Sequence, residues 1–192
     1  MSKVRVLIGV TLGALALSGC SLVPTTSALV SIQHNKVPFG LLHKTIPGTN
    51  HARVRFITQP VYIVDATGHL ALLSRIVPSP PVLASVLREL ILGPTAIETS
   101  AGYSMALPKN LVVLQATVKN NIGFIDLAVS LSTLPHAQQI LAIGQLVLTS
   151  YEVGATRGIE ISVAGVAQKS ALPNGSTSLL VTDKDYSSLL NG

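Results

Sequence analysis

The sequence contains few aromatic and few charged residues. Aromatic side chains are 4% of its 192 residues and tryptophan is absent, so the chain has almost no rings on which single-stranded nucleic acid could stack. Its one cysteine excludes an internal disulfide framework and a cysteine-rich metal site. Charged residues are 11%, less than half of the roughly 25% of a typical soluble domain. Hydrophobic residues are 48%, which excludes a wholly disordered chain and predicts an aliphatic core.

The first residues have the composition of an export signal. Lys3 and Arg5 precede an apolar run from Val6 to Leu17, which is well short of the roughly 20 residues of a membrane-spanning helix. A positive start, a short apolar run and an end of small residues are typical of a secretory signal peptide. We therefore predict that the protein is exported and that residues 1–19 are removed.

The end of this signal resembles the lipobox of bacterial lipoproteins. It reads Leu17-Ser18-Gly19-Cys20, and the resemblance implies cleavage before Cys20 and a diacylglycerol on its sulfur. The only cysteine lies at the one position that this motif requires, and an exported protein has little use for a free thiol. We expect a protein anchored to the cell membrane through lipid on Cys20, with its domain on the outer face. The alternative is an ordinary signal with an incidental cysteine.

Residues 20–59 show no regular periodicity and are predicted to form a tether. The charged side chains of this segment are all basic: Lys36, Lys44, Arg53 and Arg55. At a membrane surface they would attract anionic lipid, whereas in a solvated linker they need no partner. The rest of the chain is close to neutral once the signal and the tether are set aside, so nucleic acid is not an expected partner.

The first half of the domain is predicted to contain a hairpin and a helix. Apolar runs at 61–64 and 70–76 flank a turn at 66–68. Gly93-Pro94 ends the helix, with Gly93 suited to a left-handed cap, and a loop follows to about Gly102. The apolar stripe of this helix has the spacing of a core-facing surface and contains Leu83, Val86, Leu87, Leu90 and Ile91.

A second hairpin and a second helix follow. Residues 111–118 and 122–128 pair around Asn120-Asn121, because asparagine tolerates positive φ. A helix from Pro135 to Tyr151 is apolar over most of its circumference and is therefore expected to be buried. Alternation along the first strand of the hairpin assigns four side chains to the inner face: Val112, Leu114, Ala116 and Val118.

The last third of the chain completes the predicted fold. Gly144 in the second helix predicts close packing, since glycine otherwise weakens a helix. Residues 159–163 alternate as a half-buried strand, and 184–190 close as a short helix or fray. The elements predict an α+β fold, a mainly antiparallel sheet of five or six strands packed against two helices. The domain is placed at 60–187, with 188–192 as a C-terminal tail.

The order of these elements, with the residues at their joints, resembles the GerMN domain of sporulation and germination lipoproteins. Asn121 departs from the glycine usual in that turn, and Asp183 stands where an arginine is common. The resemblance implies assembly or regulation at the envelope. The matching positions run from residue 60 to 187 and are Val61-Tyr62, Arg75, Leu87 to Thr95 with its final Gly93-Pro94-Thr95, Glu98, Gly102, Leu107-Pro108, Ile125-Asp126-Leu127, Gln145, Thr149, Gly165 and Asp185-Tyr186.

Candidate catalytic residues do not form a recognisable pattern. Ser130, His136 and Asp126 are close in sequence, but no nucleophile elbow or oxyanion hole accompanies them. Asp126 is more simply a strand-end residue, and His136 a surface residue of a first helical turn. Glu98 with Asp126 is a further acid and base candidate, for which the sequence offers no reason why the two should meet.

Metal and anion sites receive equally weak support. The spacing of His34, His43, His51 and His69 matches no closed zinc pattern. Arg75 and Arg88 could bind an anionic ligand, although such arginines more often pair with a carboxylate. We therefore predict no enzyme activity, no cofactor and no metal.

The sequence as a whole favours a lipid-anchored envelope protein with a non-catalytic domain that binds another protein. The expected partners are the membrane, through Cys20, and an envelope protein, and a second copy of the chain is a further candidate. The alternative is an envelope protein that binds a ligand or hydrolyses cell-wall material. A pocket with converging polar side chains would favour the alternative, and an uncovered strand edge would favour protein binding.

Overall fold

The computed structural model describes residues 54–191. The predicted signal peptide, the lipobox with Cys20 and the tether up to residue 53 lie outside the described residues. None of the described helices has the length and apolar character needed to cross a membrane.

The described chain contains nine strands and three α-helices, together with two short 3-10 segments at Leu131–Thr133 and Asp183–Leu189. The strands are β1 (Phe56–Val64), β2 (Leu70–Pro78), β3 (Val113–Lys119), β4 (Ile122–Leu127), β5 (Gly158–Val163), β6 (Val166–Gln168), β7 (Ser170–Ala171), β8 (Thr177–Ser178) and β9 (Leu180–Val181). The helices are α1 (Leu83–Ile91), α2 (Ala96–Ser100) and α3 (His136–Tyr151).

These elements form an α+β sandwich, as the sequence predicts. The antiparallel hairpin β1–β2 lies on one side of α1 and α3, and a five-stranded sheet lies on the other. That sheet has the order β3-β4-β5-β6, and β9 also pairs with β5. Because α3 has neighbours on both sides, it can be apolar around most of its circumference.

The prediction of one mainly antiparallel sheet needs two refinements. The hairpin β1–β2 and the short pair β7–β8 are separate sheets, and β4 pairs with β5 in parallel. The parallel pair follows from connectivity, because α3 lies between the two strands in sequence and lets the chain return in the same direction. Spacing along the sequence identifies strands but not which of them pair.

Helix α1 confirms the predicted apolar stripe and its end. Leu83, Val86, Leu87 and Leu90 are buried, and Gly93 has a φ of +76°. Helix α2 occupies a segment that the sequence assigns to a loop. It begins with a capping box in which Thr95 N donates to Glu98 Oε2 at 2.7 Å. The Thr-x-x-Glu spacing of this box is visible in the sequence.

The inner face predicted for β3 is wrong at its start. Ala116 is buried, but Val112 and Leu114 are exposed. The register against β4 shifts between Val113 and Gln115, which is a β-bulge. An extra residue in one strand reverses which side chains face inward, so alternation fails on one side of it. The turn itself is confirmed, with Asn120 and Asn121 at φ of 51° and 62°.

Gly144 of α3 confirms the predicted close packing, and the structure shows that its neighbours are β2 and the closing segment. A Cβ there would lie 2.9 Å from Leu189 Cδ1, 3.0 Å from Leu70 Cδ1 and 3.3 Å from Tyr186 Cδ1. Tyr186 is fully buried and donates its hydroxyl to Ala171 O at 2.6 Å. This segment is a 3-10 helix that packs on the core and does not fray.

The folded part extends beyond the expected limits of 60 and 187. At the start, β1 includes four residues assigned to the tether, and Gln59 among them is buried. The other three, Phe56, Ile57 and Thr58, are exposed, and only their pairing with β2 shows that they belong to the strand. At the end, Leu189 packs on the core and Leu190 bridges to Leu70, so residues 188–190 are not a free tail.

Candidate interaction surface

A partly buried ion pair joins the hairpin to the segment after α1. Arg75 Nη1 donates to Glu98 Oε1 at 2.9 Å and Arg75 Nη2 donates to Oε2 at 2.7 Å, with side chains 12% and 20% exposed. Arg75 Nη2 also donates to Gly93 O at 3.2 Å. The hydrogen bonds that Glu98 accepts, first those from Arg75 and then that from Thr95 N, lower its pKa from 4.5 to about 2. The guanidinium of Arg75 is therefore engaged within the fold and is not a free anion site.

Two side chains of α3 form hydrogen bonds with the backbone of β1, at the edge of the strand that faces away from β2. Thr149 Oγ1 accepts from Tyr62 N at 3.0 Å, and Gln145 Nε2 donates to Tyr62 O at 3.0 Å. Gln145 Oε1 also accepts from Ala106 N at 3.0 Å. Gln145 and Thr149 are fully buried and lie four positions apart, so they share one helix face. Buried backbone groups need hydrogen-bond partners. These two side chains provide partners for Tyr62 N and Tyr62 O, as a neighbouring strand would.

The residues of the triad hypothesis have other partners. Asp126 Oδ1 accepts from Ser162 Oγ at 2.7 Å and from Gly165 N at 2.9 Å, which ties β4 to β5 and to the turn after β5. Ser130 Oγ shares a hydrogen bond with Ser132 Oγ at 2.8 Å, and His136 is exposed at the start of α3. The strand-end reading of Asp126 is therefore confirmed.

Glu98 and Asp126, the candidate acid and base, do not bond each other, and the candidate metal ligands do not form a described cluster. Glu98 is paired with Arg75, whereas Asp126 is bonded across the β4–β5 pair. Within residues 54–191, no group of three histidine, cysteine, aspartate or glutamate side chains could hold a metal ion. Three of the four candidate histidines, His34, His43 and His51, lie outside the described residues.

An open groove lies between α1 and β3 and continues past the end of α1 along residues 103–109. Two adjoining depressions of about 560 and 380 Å³ form it, and both are lined by Ile91 and Leu92. Leu92, Val112 and Leu114 each leave more than half of their surface exposed there. We call this surface the β3 groove; its residues are Leu92, Tyr103, Val112 and Leu114, with Arg88 and Lys109 at its rim.

The β3 groove lies beside an uncovered strand edge. Within the described chain, β4 is the only strand that pairs with β3, so the outer edge of β3 has no strand partner. Arg88 and Lys109 are exposed, and none of the described residues that line the two depressions is acidic. The arrangement can accept an extended chain through backbone hydrogen bonds, apolar contacts and attraction of acidic side chains.

The sequence does not identify the groove residues. Alternation assigns Val112 and Leu114 to the core, and Leu92 falls at the end of the α1 stripe without a role. A bulge could have been suspected from Leu111 to Leu114, four consecutive apolar residues that cannot all face one side of a strand. Arg88 is a candidate anion-binding residue in sequence, and the structure places it at the groove rim.

Comparison with known proteins gives a family and a fold. A family model described as Germane, sporulation and spore germination, matches residues 60–169, more than half of the chain. No curated protein matches the sequence.

Solved structures that are similar to this chain include two of GerMN domains. The tandem GerMN domains of the sporulation protein GerM from Bacillus subtilis are 15% identical, with a TM-score of 0.51, and the match covers 68% of this chain and 48% of that one. This chain thus spans about half the length of the tandem structure. The first GerMN domain of the same protein is 15% identical, with a TM-score of 0.50, and the match covers 67% of this chain and 98% of that one. At this identity the likeness shows a shared fold.

Proposed function

Because the chain belongs to the sporulation and spore germination family, we propose that it is a lipid-anchored envelope protein whose domain docks a partner protein without catalysis. The observation that carries the proposal is the β3 groove with its uncovered strand edge. In this proposal the lipid is on Cys20, residues 1–19 are the signal, and the domain lies on the outer face of the membrane.

The occupant of the β3 groove is an extended segment of a partner protein. Added along β3, it would form main-chain hydrogen bonds with the free edge, which are independent of sequence. Leu114 and Val112 would supply apolar contact, and Arg88 and Lys109 would favour acidic side chains in the partner. The partner segment is therefore expected to combine apolar and acidic residues.

The hydrogen bonds of the polar residues support the proposal that the domain is not catalytic. Arg75, Glu98, Gln145, Thr149 and Asp126 each form hydrogen bonds that join elements of the fold. A general acid, a base or a nucleophile must be able to reach a substrate. The groove itself is lined mainly by apolar side chains, with no acidic group among its described lining residues.

The lipid anchor would act through effective concentration. Attaching a docking domain to the membrane of its partner raises apparent affinity by roughly 10²–10⁴ without a new contact. We expect Cys20→Ser, exported through an ordinary signal, to fold normally and to lose most partner occupancy. Full complementation of a deletion strain by the released form would contradict the tethered function and favour the ligand-binding or hydrolytic alternative.

The groove is tested with a charge variant and a matched control. Leu114→Asp places an acidic group where an acidic partner would bind, and Val166→Asp places the same group on β6, at another exposed apolar position. We expect Leu114→Asp to abolish complementation and Val166→Asp to retain it, at equal abundance and equal thermal midpoint. A photo-crosslinking residue at position 114 should trap one protein that is absent when it is placed at position 166. Equal behaviour of the two variants would reject the β3 groove as the docking site.

A further inference from the structure

The hairpin β1–β2 has one buried and one exposed face. Residues directly opposite each other in an antiparallel pair project to the same side. Gln59, Val61, Ile63 and Val77 are buried and form the side that packs on the helices. The opposite side, which we call the hairpin outer face, follows from the register of the two strands and consists of Phe56, Thr58, Pro60, Tyr62, Leu72, Ser74, Ile76 and Pro78.

The hairpin outer face is apolar where a solvated face should be polar. Phe56 is 62% exposed, Leu72 51% and Ile76 69%, and none of the residues of this face is charged. A sheet with one face in water normally alternates apolar inside and polar outside. The outer face of the five-stranded sheet differs, because charged and polar side chains lie on it beside Ile122, Phe124 and Leu180. These polar side chains are Gln115, Thr117, Lys119, Asp126, Glu160 and Ser162.

The position of this face relative to the chain indicates what covers it. Phe56 is the first residue of β1, two residues after Val54, where the described chain begins. Residues 21–55 separate this strand from Cys20 and can span at most about 120 Å. Their charged side chains are basic without exception, and Arg55 is directly next to Phe56. Towards the other end of β1 the Tyr62 hydroxyl donates to Glu152 Oε1 at 3.2 Å, so the basic residues are on the N-terminal side of the face. An apolar face preceded by a wholly basic segment of chain is a combination that favours the surface of an anionic bilayer.

We propose that the hairpin outer face lies on the surface of the membrane that carries the lipid anchor, with Phe56, Leu72 and Ile76 in the interfacial region. This inference rests on the anchoring part of the proposed function. One lipid anchor and one weak interfacial contact would together hold the domain in a fixed orientation, since stable membrane attachment generally needs two signals. The β3 groove is a separate surface and remains free for the partner.

Vesicle binding of the unlipidated chain tests the proposal. The protein is the chain from residue 20 with Cys20→Ser, and the probes are vesicles of phosphatidylcholine alone or mixed with phosphatidylglycerol. We expect binding to the mixed vesicles and at least about a tenfold loss of partitioning for Phe56→Ser/Ile76→Ser, the order expected when apolar contacts are removed. Val112→Ser/Leu114→Ser, which removes two exposed apolar side chains from the β3 groove, should bind as the parent does.

Because the chain has no tryptophan, the fluorescence of one introduced tryptophan shows whether that residue enters the bilayer. A tryptophan introduced as Leu72→Trp should shift its fluorescence to shorter wavelength when mixed vesicles are added, whereas Leu114→Trp should not. Thermal unfolding of each variant checks that the domain is folded. Equal binding of the hairpin double variant and the parent, or a shift only at position 114, would overturn the proposal. The proposal would also be overturned if the parent protein bound no vesicles but formed a dimer that Phe56→Ser/Ile76→Ser abolishes. The hairpin outer face would then join two copies of the chain.

The design separates this inference from the proposed function. Lipidation of Cys20 is measured by mass spectrometry of the protein from its native membrane, independently of the vesicles. Loss of complementation by Leu114→Asp concerns the partner and leaves vesicle binding unchanged. A protein that is lipidated and docks its partner but shows no vesicle binding would reject the membrane contact alone. A protein that binds vesicles but carries no lipid would reject the anchor alone.

Discussion

The ion pair between Arg75 and Glu98 gives the sharpest prediction of stability. Glu98→Gln keeps the size and one acceptor oxygen but removes the charge that the guanidinium faces from 2.7 Å. A fully exposed pair contributes about 0.2–1 kcal/mol, and loss of one partner of a buried pair costs about 3–5 kcal/mol. Because both side chains are mostly but not fully buried, we expect a loss of about 1–3 kcal/mol at pH 7. For a domain of this size that lowers the thermal midpoint by roughly 3–10 °C.

The stability that Glu98→Gln loses relative to the wild-type protein should become smaller as the pH falls. The pKa of Glu98 is lowered from 4.5 to about 2 in the folded protein, first of all by its hydrogen bond from Arg75. As pH falls below 4.5 the unfolded chain takes up this proton before the folded one does. The stabilisation is therefore present above about 4.5 and is lost as pH falls towards 2. Glu98→Gln has no such group, so its deficit relative to the wild-type protein should shrink over that interval.

Urea unfolding at a series of pH values between 7 and the acid limit measures both effects. Glu89→Gln, which removes the same charge from α1, is the control. Double-variant analysis with Arg75→Gln isolates the pair, since the two changes should be far from additive. A constant difference between wild-type and Glu98→Gln at all pH values, or additive losses in the double variant, would refute the reasoning.

Three further predictions concern the core and can be measured by chemical unfolding. Leu87→Ala should cost about 2–5 kcal/mol, because Leu87 is fully buried on the α1 stripe, and an unchanged midpoint would contradict its packing. Gly93→Val should cost more than about 1 kcal/mol, since φ is +76° and a Cβ would lie 3.1 Å from Met105 Cγ; tolerance would exclude this left-handed geometry. Gln145→Leu should cost about 2–4 kcal/mol by leaving Tyr62 O and Ala106 N without partners, and it should cost more than Gln168→Leu on exposed β6.

The parts of the fold that sequence could predict are those fixed by local chemistry. The α1 stripe, the left-handed Gly93 and the Asn120-Asn121 turn depend on neighbours a few positions away, and all three are confirmed. Gly144 was informative for a related reason: a glycine in a strongly apolar helix indicates an approach that a side chain would prevent.

The parts that sequence could not predict depend on pairing between distant segments. The bulge in β3 is defined only against β4, and it turns Leu114 from a core residue into a groove residue. The exposed face of the hairpin likewise follows from which side of β1 meets the helices. Apolar residues at such positions look like core in sequence, so both proposed contact surfaces were invisible until the strands were paired.

The residues that carry the family resemblance overlap only in part with the residues that carry the proposed contacts. Tyr62, Arg88 and Leu92 belong to both sets. Arg75 with Glu98 and Gln145 with Thr149 are engaged in hydrogen bonds that hold the hairpin against α2 and α3. These four side chains are engaged within the fold, so they offer little to a partner. In the proposed function, partner choice would then depend mainly on groove side chains outside the resemblance, with Val112 and Leu114 among them. Exchanging the groove residues between two such domains should therefore transfer partner preference without loss of folding, whereas exchanging the hydrogen-bonding residues should change stability and leave preference unaltered.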